Sequence, residues 1–159
     1  MKQSFSGVSW VVEQTMLLVA LAVAAPLWPG QWPKVVSVSI GSAAFLYAAW
    51  TGLCGVFRLG RNRTALPAPR DGSTLVTSGI YSLIRHPLYA AMMAMGIGWA
   101  CFWSSPAGLG IAGFLILFLH AKVRLEEGLL AERFAGYPRY ASQVPRYIPR
   151  SLRPPRELL

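Results

Sequence analysis

The stretch from residue 86 to residue 123 reads HPLYAAMMAMGIGWACFWSSPAGLGIAGFLILFLHAKV, two apolar runs separated by a short break. Each run, over roughly 86–103 and roughly 107–123, approaches the length that a helix needs to cross a hydrocarbon core of about 30 Å. Only the Ser-Ser-Pro of residues 104–106 lies between them. We therefore expect two short spans that form a tight helical hairpin.

The composition of the whole chain agrees with a membrane protein. Of its 159 residues, 54% are hydrophobic and 13% are charged, and its mean hydropathy is +0.43. Such a chain is too apolar for an ordinary soluble domain. Two further apolar runs, over roughly 10–28 and 35–57, bring the expected number of spans to about four. The predicted fold class is therefore an all-α integral membrane protein with about four transmembrane helices.

The basic residues indicate the orientation of these spans. The formal net charge is +9, and Arg and Lys concentrate in two stretches, 58–85 and 122–156. Since short cytosolic loops are enriched in Arg and Lys, we expect a multi-pass protein with both termini in the cytosol. The same topology accounts for the positive charge, so no nucleic-acid partner is expected.

The chain changes character after residue 123. Residues 120–134, HAKVRLEEGLLAERF, place leucines at helical spacing among charges, which predicts that the fourth span continues as a cytosolic amphipathic helix. Beyond Gly136 the sequence is rich in Pro, Arg and Tyr, and we expect an extended C-terminal cap over the cytosolic face. Cys54 and Cys101 have no metal-ligand spacing, so no metal site is predicted.

The polar groups of chemical interest fall into two clusters, residues 73–89 and 120–127, which the hairpin brings to the same end. One cytosolic pocket is therefore expected to contain both clusters. It offers four cationic or donor side chains, two acids, two tyrosines and three glycines for close backbone approach: Arg85, His86, Lys122, Arg124, Glu126, Glu127, Tyr81, Tyr89, Gly79, Gly96 and Gly98. That inventory suits a small zwitterion with a cationic centre such as S-adenosylmethionine, although NADPH, a lipid headgroup or an anionic peptide can use similar groups.

Four short sequences carry a resemblance to a known family: TLVTSGIYSLIRHPLY at 74–89, EEGLLAERF at 126–134, a Tyr-x-x-Tyr pair at 137–140 and VPRYIP at 144–149. Together they resemble the membrane-embedded isoprenylcysteine carboxyl methyltransferases, a group related to the phospholipid N-methyltransferases. The resemblance covers roughly residues 72–149, about half of the chain. It implies S-adenosyl-L-methionine as the cofactor and a lipophilic, membrane-delivered acceptor.

The resemblance also gives the parts of the chain expected roles. We expect one membrane methyltransferase domain over residues 1–159, with two N-terminal spans in 1–57, a cytosolic loop over 58–73, a cofactor-binding core over 74–149 and a basic tail over 150–159. The predicted cofactor-binding residues combine the family motifs with the pocket inventory: Thr74, Leu75, Val76, Gly79, Tyr81, Arg85, His86, Pro87, Tyr89, Gly96, Gly98, His120, Glu126 and Glu127. Among them, Gly96-Ile97-Gly98 resembles the GxG element of the phospholipid enzymes.

One position departs from the family pattern. Where the carboxyl methyltransferases have an arginine four positions before the matching glutamate, this chain has Lys122, and Arg124 is a neighbour that can substitute. The residues expected to handle the acceptor are Arg124, Lys122 and Glu127. A carboxylate acceptor needs only a cation to place it, because it is already ionised at neutral pH, whereas an amine needs a base such as Glu127 or His120.

The leading hypothesis is methyl transfer to a lipophilic acceptor, most like isoprenylcysteine carboxyl methylation. Three alternatives stay open: a phospholipid or other small lipophilic N-, S- or O-methyltransferase, an NADPH-dependent enzyme resembling sterol reductases, and a non-enzymatic membrane scaffold. Membrane lipids are expected partners in each case. Glu13, near the start of the first span, is expected to be an interfacial carboxylate.

Overall fold

The computed structural model describes residues 2–60, 72 and 74–152, with side chains from Gly7 onward. Within those residues the chain forms five α-helices and a short 3-10 helix: α1 Lys2–Leu27, α2 Lys34–Leu59, the 3-10 helix Gly79–Ser82, α3 Pro87–Phe102, α4 Pro106–Arg133 and α5 Tyr137–Gln143. The predicted all-α class is confirmed. Most of the predicted cytosolic loop (61–71 and 73) and the end of the basic tail (153–159) lie outside the described residues.

The helices differ in whether they are long enough to cross a bilayer. α1, α2 and α4 are long and apolar enough to span, whereas α3 is apolar but has only 16 residues. At 1.5 Å per residue α3 is about 24 Å long, which is less than a typical hydrocarbon core. The expectation of about four spans is therefore refined to three full-length helices and one shorter one. α4 continues without a break to Arg133, as the amphipathic pattern predicted.

Small residues let the helices approach closely. α2 packs antiparallel on α3, while α1 and α3 both pack on α4. A Cβ added at Gly55 of α2 would lie 3.1 Å from Pro87 and 3.0 Å from Leu88, both in α3. Farther along the same contact, a Cβ at Gly98 would lie 3.2 Å from the backbone oxygen of Gly41. The α2–α3 contact therefore depends on residues without side chains.

The two turns at one end of the bundle are bonded to each other. The hydroxyls of Ser37 and Ser104 lie 2.6 Å apart, and the Ser105 hydroxyl donates to the backbone oxygen of Trp28 at 2.6 Å. The backbone N–H of Gly30 donates to the Ser104 oxygen at 3.0 Å. These bonds satisfy polar groups that the apolar surroundings would leave unpaired, and they make this the closed end of the bundle.

The C-terminal segment folds back over the opposite end. The sequence predicted it to be extended, but residues 137–143 form α5, because Pro138 lies in the first turn of the helix, where no N–H is required. After α5 the chain is extended, and it accepts backbone hydrogen bonds at two successive oxygens. Arg85 N–H donates to the Pro145 oxygen at 2.8 Å, and His86 N–H donates to the Arg146 oxygen at 2.9 Å.

Glu127 of α4 fixes the C-terminal segment against the start of α3. Its Oε1 accepts from Arg85 Nη2 at 2.8 Å and lies 3.2 Å from His86 Nε2, while its Oε2 accepts from Arg146 Nη2 at 2.7 Å. Arg85 also donates from Nη1 to the Val144 oxygen at 2.7 Å. Because the Arg85 and Glu127 side chains are only 9% and 13% exposed, solvent screens this network weakly. It joins α4, the start of α3 and the tail.

Replacing Gly30 by alanine is expected to destabilise the protein, because the new Cβ would lie 2.3 Å from the Ser104 oxygen. Overpacking of this kind costs about 1–3 kcal/mol, which thermal unfolding in detergent can measure. Gly110→Ala is the matched control, since nothing lies within 4 Å of that Cβ position and alanine favours a helix. An unchanged unfolding temperature for Gly30→Ala would contradict the packing at the closed end.

Replacing Glu127 by glutamine is expected to release the tail, because three basic side chains lose their shared carboxylate. Removing one partner of a buried ion pair costs about 3–5 kcal/mol, and the 39% exposure of Arg146 favours the lower value. Hydrogen–deuterium exchange of residues 144–147 should become faster. Glu132→Gln, at an exposed position of the same helix, is the control. Equal protection in both variants would mean that backbone bonds alone hold the tail.

Candidate functional site

A cavity of about 740 Å³ lies at the end of the bundle opposite the bonded turns. Its volume is in the range of small-molecule and cofactor sites. The last turns of α2, the first turns of α3, the second half of α4 and α5 all contribute to its wall. Most of the residues that the sequence predicted line it: Thr74, Leu75, Val76, Tyr81, Arg85, His86, Pro87, Tyr89, Lys122 and Glu126.

α4 presents two different faces at this end. Lys122, Glu126 and Leu130 are four residues apart, so they lie on one side of the helix, and all three line the cavity. His120 and Glu127 are seven residues apart on another side, and both contact the C-terminal segment instead. The adjacent acids Glu126 and Glu127 therefore have different surroundings, one facing the cavity and one facing the tail.

Glu126 has a carboxylate oxygen that the described residues leave unpaired. Its Oε2 atom is buried and has no hydrogen-bond partner among the described residues. The Tyr89 hydroxyl, on α3, lies within hydrogen-bonding reach of the same carboxylate. Since a buried acceptor without a donor costs about 1–3 kcal/mol, an unpaired oxygen at a cavity wall indicates a donor that arrives with a ligand.

Aromatic rings form much of the remaining wall. Tyr81, Tyr137 and Tyr140 line the cavity together with Phe134. The Tyr140 hydroxyl donates to the backbone oxygen of Tyr81 at 2.6 Å, which fixes α5 against the 3-10 helix. Burial raises the pKa of the Tyr81 and Tyr140 phenols, so both stay neutral over the physiological range. Neutral tyrosine faces of this kind can hold an organic cation.

His86 precedes α3 and is held from several directions. Its backbone N–H is bonded to the tail, its Nε2 lies near Glu127, and its ring centre is 5.7 Å from that of Tyr89. Pro87 follows it in the first turn of α3, where the missing N–H costs nothing. The imidazole is buried and fixed at the cavity wall, as the Arg-His-Pro sequence predicted.

Three of the predicted cofactor-binding glycines do not line the cavity. A Cβ at Gly96 would lie 3.1 Å from Leu21 of α1, and Gly98 lies against α2, so both serve helix packing. Gly79 has a φ of +65° and lies beside the Arg58 side chain, which explains the glycine by backbone conformation. The likeness of Gly96-Ile97-Gly98 to a cofactor-binding element is therefore not matched by its position.

Three other predicted residues also lie outside the cavity wall. Arg124 is exposed on α4, and Glu127 is bound to Arg85 and Arg146. His120 Nδ1 lies 3.0 Å from the Tyr147 hydroxyl, in a contact between α4 and the tail. Each is on a face of α4 other than the one that carries Glu126. Of the residues expected to handle the acceptor, the structure places Lys122 in the cavity.

Several residues at this site were not predicted from the sequence. Gln14 of α1 lines the cavity, while its neighbour Glu13, expected to be an interfacial carboxylate, is exposed. Gln14 is a polar side chain inside an apolar run, and that was the available signal. Arg146 was noted only within a family motif; a C-terminal cap over the cytosolic face was expected, but nothing in the sequence indicated that Arg146 would contact Glu127. No cluster of three or more metal-ligating side chains occurs in the part of the chain that the structure describes.

The chain is similar to two metal-resistance proteins over most of its length. It is 30% identical over 146 residues to the cobalt-zinc-cadmium resistance protein CzcN of Cupriavidus metallidurans, covering 89% of this chain and 62% of CzcN. It is 27% identical over 143 residues to the nickel-cobalt-cadmium resistance protein NccN of Alcaligenes xylosoxydans xylosoxydans, covering 89% of this chain and 63% of NccN. The chain thus spans less than two thirds of the length of either relative.

A shorter match reaches the enzymes that the sequence motifs resemble. The chain is 30% identical over 77 residues to protein-S-isoprenylcysteine O-methyltransferase B of Arabidopsis thaliana, covering 47% of this chain and 39% of that enzyme. The broader match is to the phospholipid methyltransferase family, whose sequence model covers residues 36–136. The resemblance is therefore confirmed for the related membrane methyltransferases, not for the isoprenylcysteine enzymes in particular. The phospholipid methyltransferase model matches more than half of the length of this chain, and the chain therefore belongs to the phospholipid methyltransferase family.

Proposed function

We propose that the protein transfers a methyl group from S-adenosyl-L-methionine to a lipophilic acceptor that arrives from the membrane. The observation that carries this proposal is the buried, unpaired Oε2 of Glu126 in a cavity lined with tyrosines. Membership of the phospholipid methyltransferase family supports it independently. The cavity volume of about 740 Å³ has room for a ligand of this size class.

The residues at the cavity wall fit the cofactor group by group. The Glu126 carboxylate suits an ammonium group, and the faces of Tyr81 and Tyr89 suit a sulfonium. Arg85 lines the same wall, but its guanidinium already donates to Glu127 and to the backbone oxygens of Ala141 and Val144. The ring of His86, on the same wall, is therefore the group that suits a carboxylate. When bound, S-adenosylmethionine supplies an activated methyl group on a positively charged sulfur.

The protein itself positions the methyl donor and the acceptor and excludes water from them. Apolar side chains from α2 and α3, among them Val56, Leu88 and Ala91, also line the cavity. Holding donor and acceptor in line in such a site can lower a reaction barrier by about 7–11 kcal/mol in favourable cases. Glu127 and His120, the expected bases, lie outside the cavity. This arrangement favours an acceptor that is already a nucleophile at neutral pH, such as an ionised carboxylate.

The proposal includes an orientation in the membrane. A water-soluble cofactor must reach the cavity from an aqueous compartment, and the basic residues Arg58, Arg85 and Arg146 lie at the same end as the cavity. Basic residues are enriched on the cytosolic side of membrane proteins. We therefore place the cavity end, with both termini, on the cytosolic side. The core that binds the cofactor is proposed to extend over residues 74–149, within a single domain.

Replacing Glu126 by glutamine is expected to weaken binding of S-adenosylhomocysteine at least tenfold, because a charge-assisted hydrogen bond contributes about 1.5–3 kcal/mol. Isothermal titration of the detergent-purified protein measures this change. Arg124→Gln is the matched control, since Arg124 is exposed on the same helix, and its affinity should stay within twofold of wild type.

The same titration with NADPH distinguishes the competing reductase function. Tight NADPH binding without S-adenosylhomocysteine binding would replace the methyltransferase proposal with a reductase. If the wild-type protein binds neither S-adenosylhomocysteine nor NADPH, both the methyltransferase and the reductase functions are rejected. Equal S-adenosylhomocysteine affinity in wild type and Glu126→Gln would mean that the cofactor binds elsewhere.

A further inference from the structure

The C-terminal segment contacts both α2 and α4 after it leaves α5. The Tyr147 carbonyl oxygen accepts from the Tyr47 hydroxyl of α2, and the Tyr147 hydroxyl lies 3.0 Å from Nδ1 of His120 on α4. Tyr47 lies ten residues before the end of the apolar run 35–57, and His120 lies three residues before the end of the run 107–123. At 1.5 Å per residue, these partners lie about 15 Å and about 5 Å inside their apolar runs. Tyr147 is therefore bonded below the level at which both runs end.

The backbone of this segment is bonded in the way that irregular structure inside a membrane requires. Four successive carbonyl oxygens, those of residues 144–147, accept hydrogen bonds from the protein. The donors are the Arg85 side chain, the backbone N–H groups of Arg85 and His86, and the Tyr47 hydroxyl. Non-helical backbone at membrane depth is tolerated where protein groups replace water as hydrogen-bond partners. These bonds therefore permit the segment to lie below the lipid headgroups.

The side chains of the segment also fit the boundary of a membrane. In the sequence RYIPR, Arg146 and Arg150 flank three residues without charge. Arg146 Nη2 donates to Glu127 Oε2 at 2.7 Å, and Glu127 lies beyond the apolar run of α4. The Arg146 guanidinium is therefore held where α4 leaves the membrane, as long basic side chains near an interface commonly are. Ile148, between the two arginines, is 74% exposed.

We propose that residues 146–150 form a re-entrant turn in the leaflet at the cavity end of the bundle, with Ile148 against lipid acyl chains and Arg150 at the lipid phosphates. Arg150 is exposed and the turn contains no acidic residue, so this surface fits a leaflet with anionic headgroups. The ring centres of Tyr147 and His86 are 6.5 Å apart, so lipid packed on the turn supports a residue of the cavity wall. The inference goes beyond the proposed function and does not depend on which ligand the cavity binds.

The test measures the surroundings of Ile148 in a bilayer. A nitroxide is attached at Ile148→Cys of the full chain with Cys54→Ala, since Cys54 is exposed and Cys101 is buried. The protein is reconstituted into nanodiscs of phosphatidylcholine and phosphatidylglycerol. Electron paramagnetic resonance then compares the collisions of the nitroxide with oxygen, which concentrates in acyl chains, and with a water-soluble nickel chelate. Because Ile148 is mostly exposed, the label should leave the unfolding temperature within about two degrees of the unlabelled protein.

Two reference positions calibrate the ratio of oxygen to nickel collisions. Leu117→Cys places the label at a 69% exposed position within the apolar run of α4, and Arg139→Cys places it at an exposed position of α5. The ratio at position 148 should lie within twofold of the ratio at position 117 and exceed the ratio at position 139 at least fivefold. Equal ratios at positions 148 and 139 would place the turn in water and overturn the inference. Few collisions with either reagent at position 148 would also overturn it, because protein rather than lipid would then cover Ile148.

The contact with lipid phosphates is tested by reversing one charge. Arg150→Glu should lower the ratio at position 148 at least twofold in nanodiscs that contain phosphatidylglycerol, because the phosphates repel the new carboxylate. In nanodiscs of phosphatidylcholine alone, the same variant should lower the ratio less. Arg139→Glu is the matched control, since Arg139 is an exposed arginine outside the turn, and it should leave the ratio unchanged. The same ratio for Arg150→Glu and wild type with phosphatidylglycerol present would contradict the placement of Arg150.

Discussion

The ion network around Glu127 is the constraint on which the rest of the site depends. One carboxylate binds Arg85 before α3, Arg146 in the tail and the ring of His86. Without it, the two guanidinium groups would repel each other at the end of an apolar bundle. With it, the tail lies across the bundle, α5 is held against the 3-10 helix, and the cavity has a wall on the side away from the membrane core.

The adjacent acids Glu126 and Glu127 have different surroundings because of helix geometry. Successive residues of an α-helix point about 100° apart, so Glu126 and Glu127 cannot face the same surroundings. Glu127 is paired with basic groups of the protein, whereas Glu126 has a buried oxygen without a hydrogen-bond partner among the described residues. A spacing of four residues places Lys122, Glu126 and Leu130 on one face of α4. A basic, an acidic and an apolar side chain therefore follow one another along the cavity.

Local sequence was sufficient for much of the fold and for part of the site. The apolar runs and the Ser-Ser-Pro turn predicted the hairpin, and the hairpin brought His86 and Glu126 to the same end. The length of α3 and the helix at α5 were less predictable, since prolines both start helices and interrupt them. The position of Gln14 at the cavity was only partly predictable. A polar side chain inside an apolar run was one signal, but no local pattern relates α1 to the facing side of α4. The glycines of α3 illustrate the opposite case, in which a motif suggested a ligand contact and the structure places the residues in close helix packing.

The shortness of α3 has a consequence for the surrounding lipid. A helix of 16 residues falls roughly 6 Å short of a typical hydrocarbon core, while its neighbours α2 and α4 are long enough to cross it. Lipids beside α3 must adjust to this hydrophobic mismatch, and a short helix is accommodated by local thinning of the bilayer. The thinned leaflet brings lipid headgroups down toward Pro87 and Leu88, where the cavity wall begins. A lipid headgroup can then lie beside the cavity end of α3 without its chain leaving the membrane.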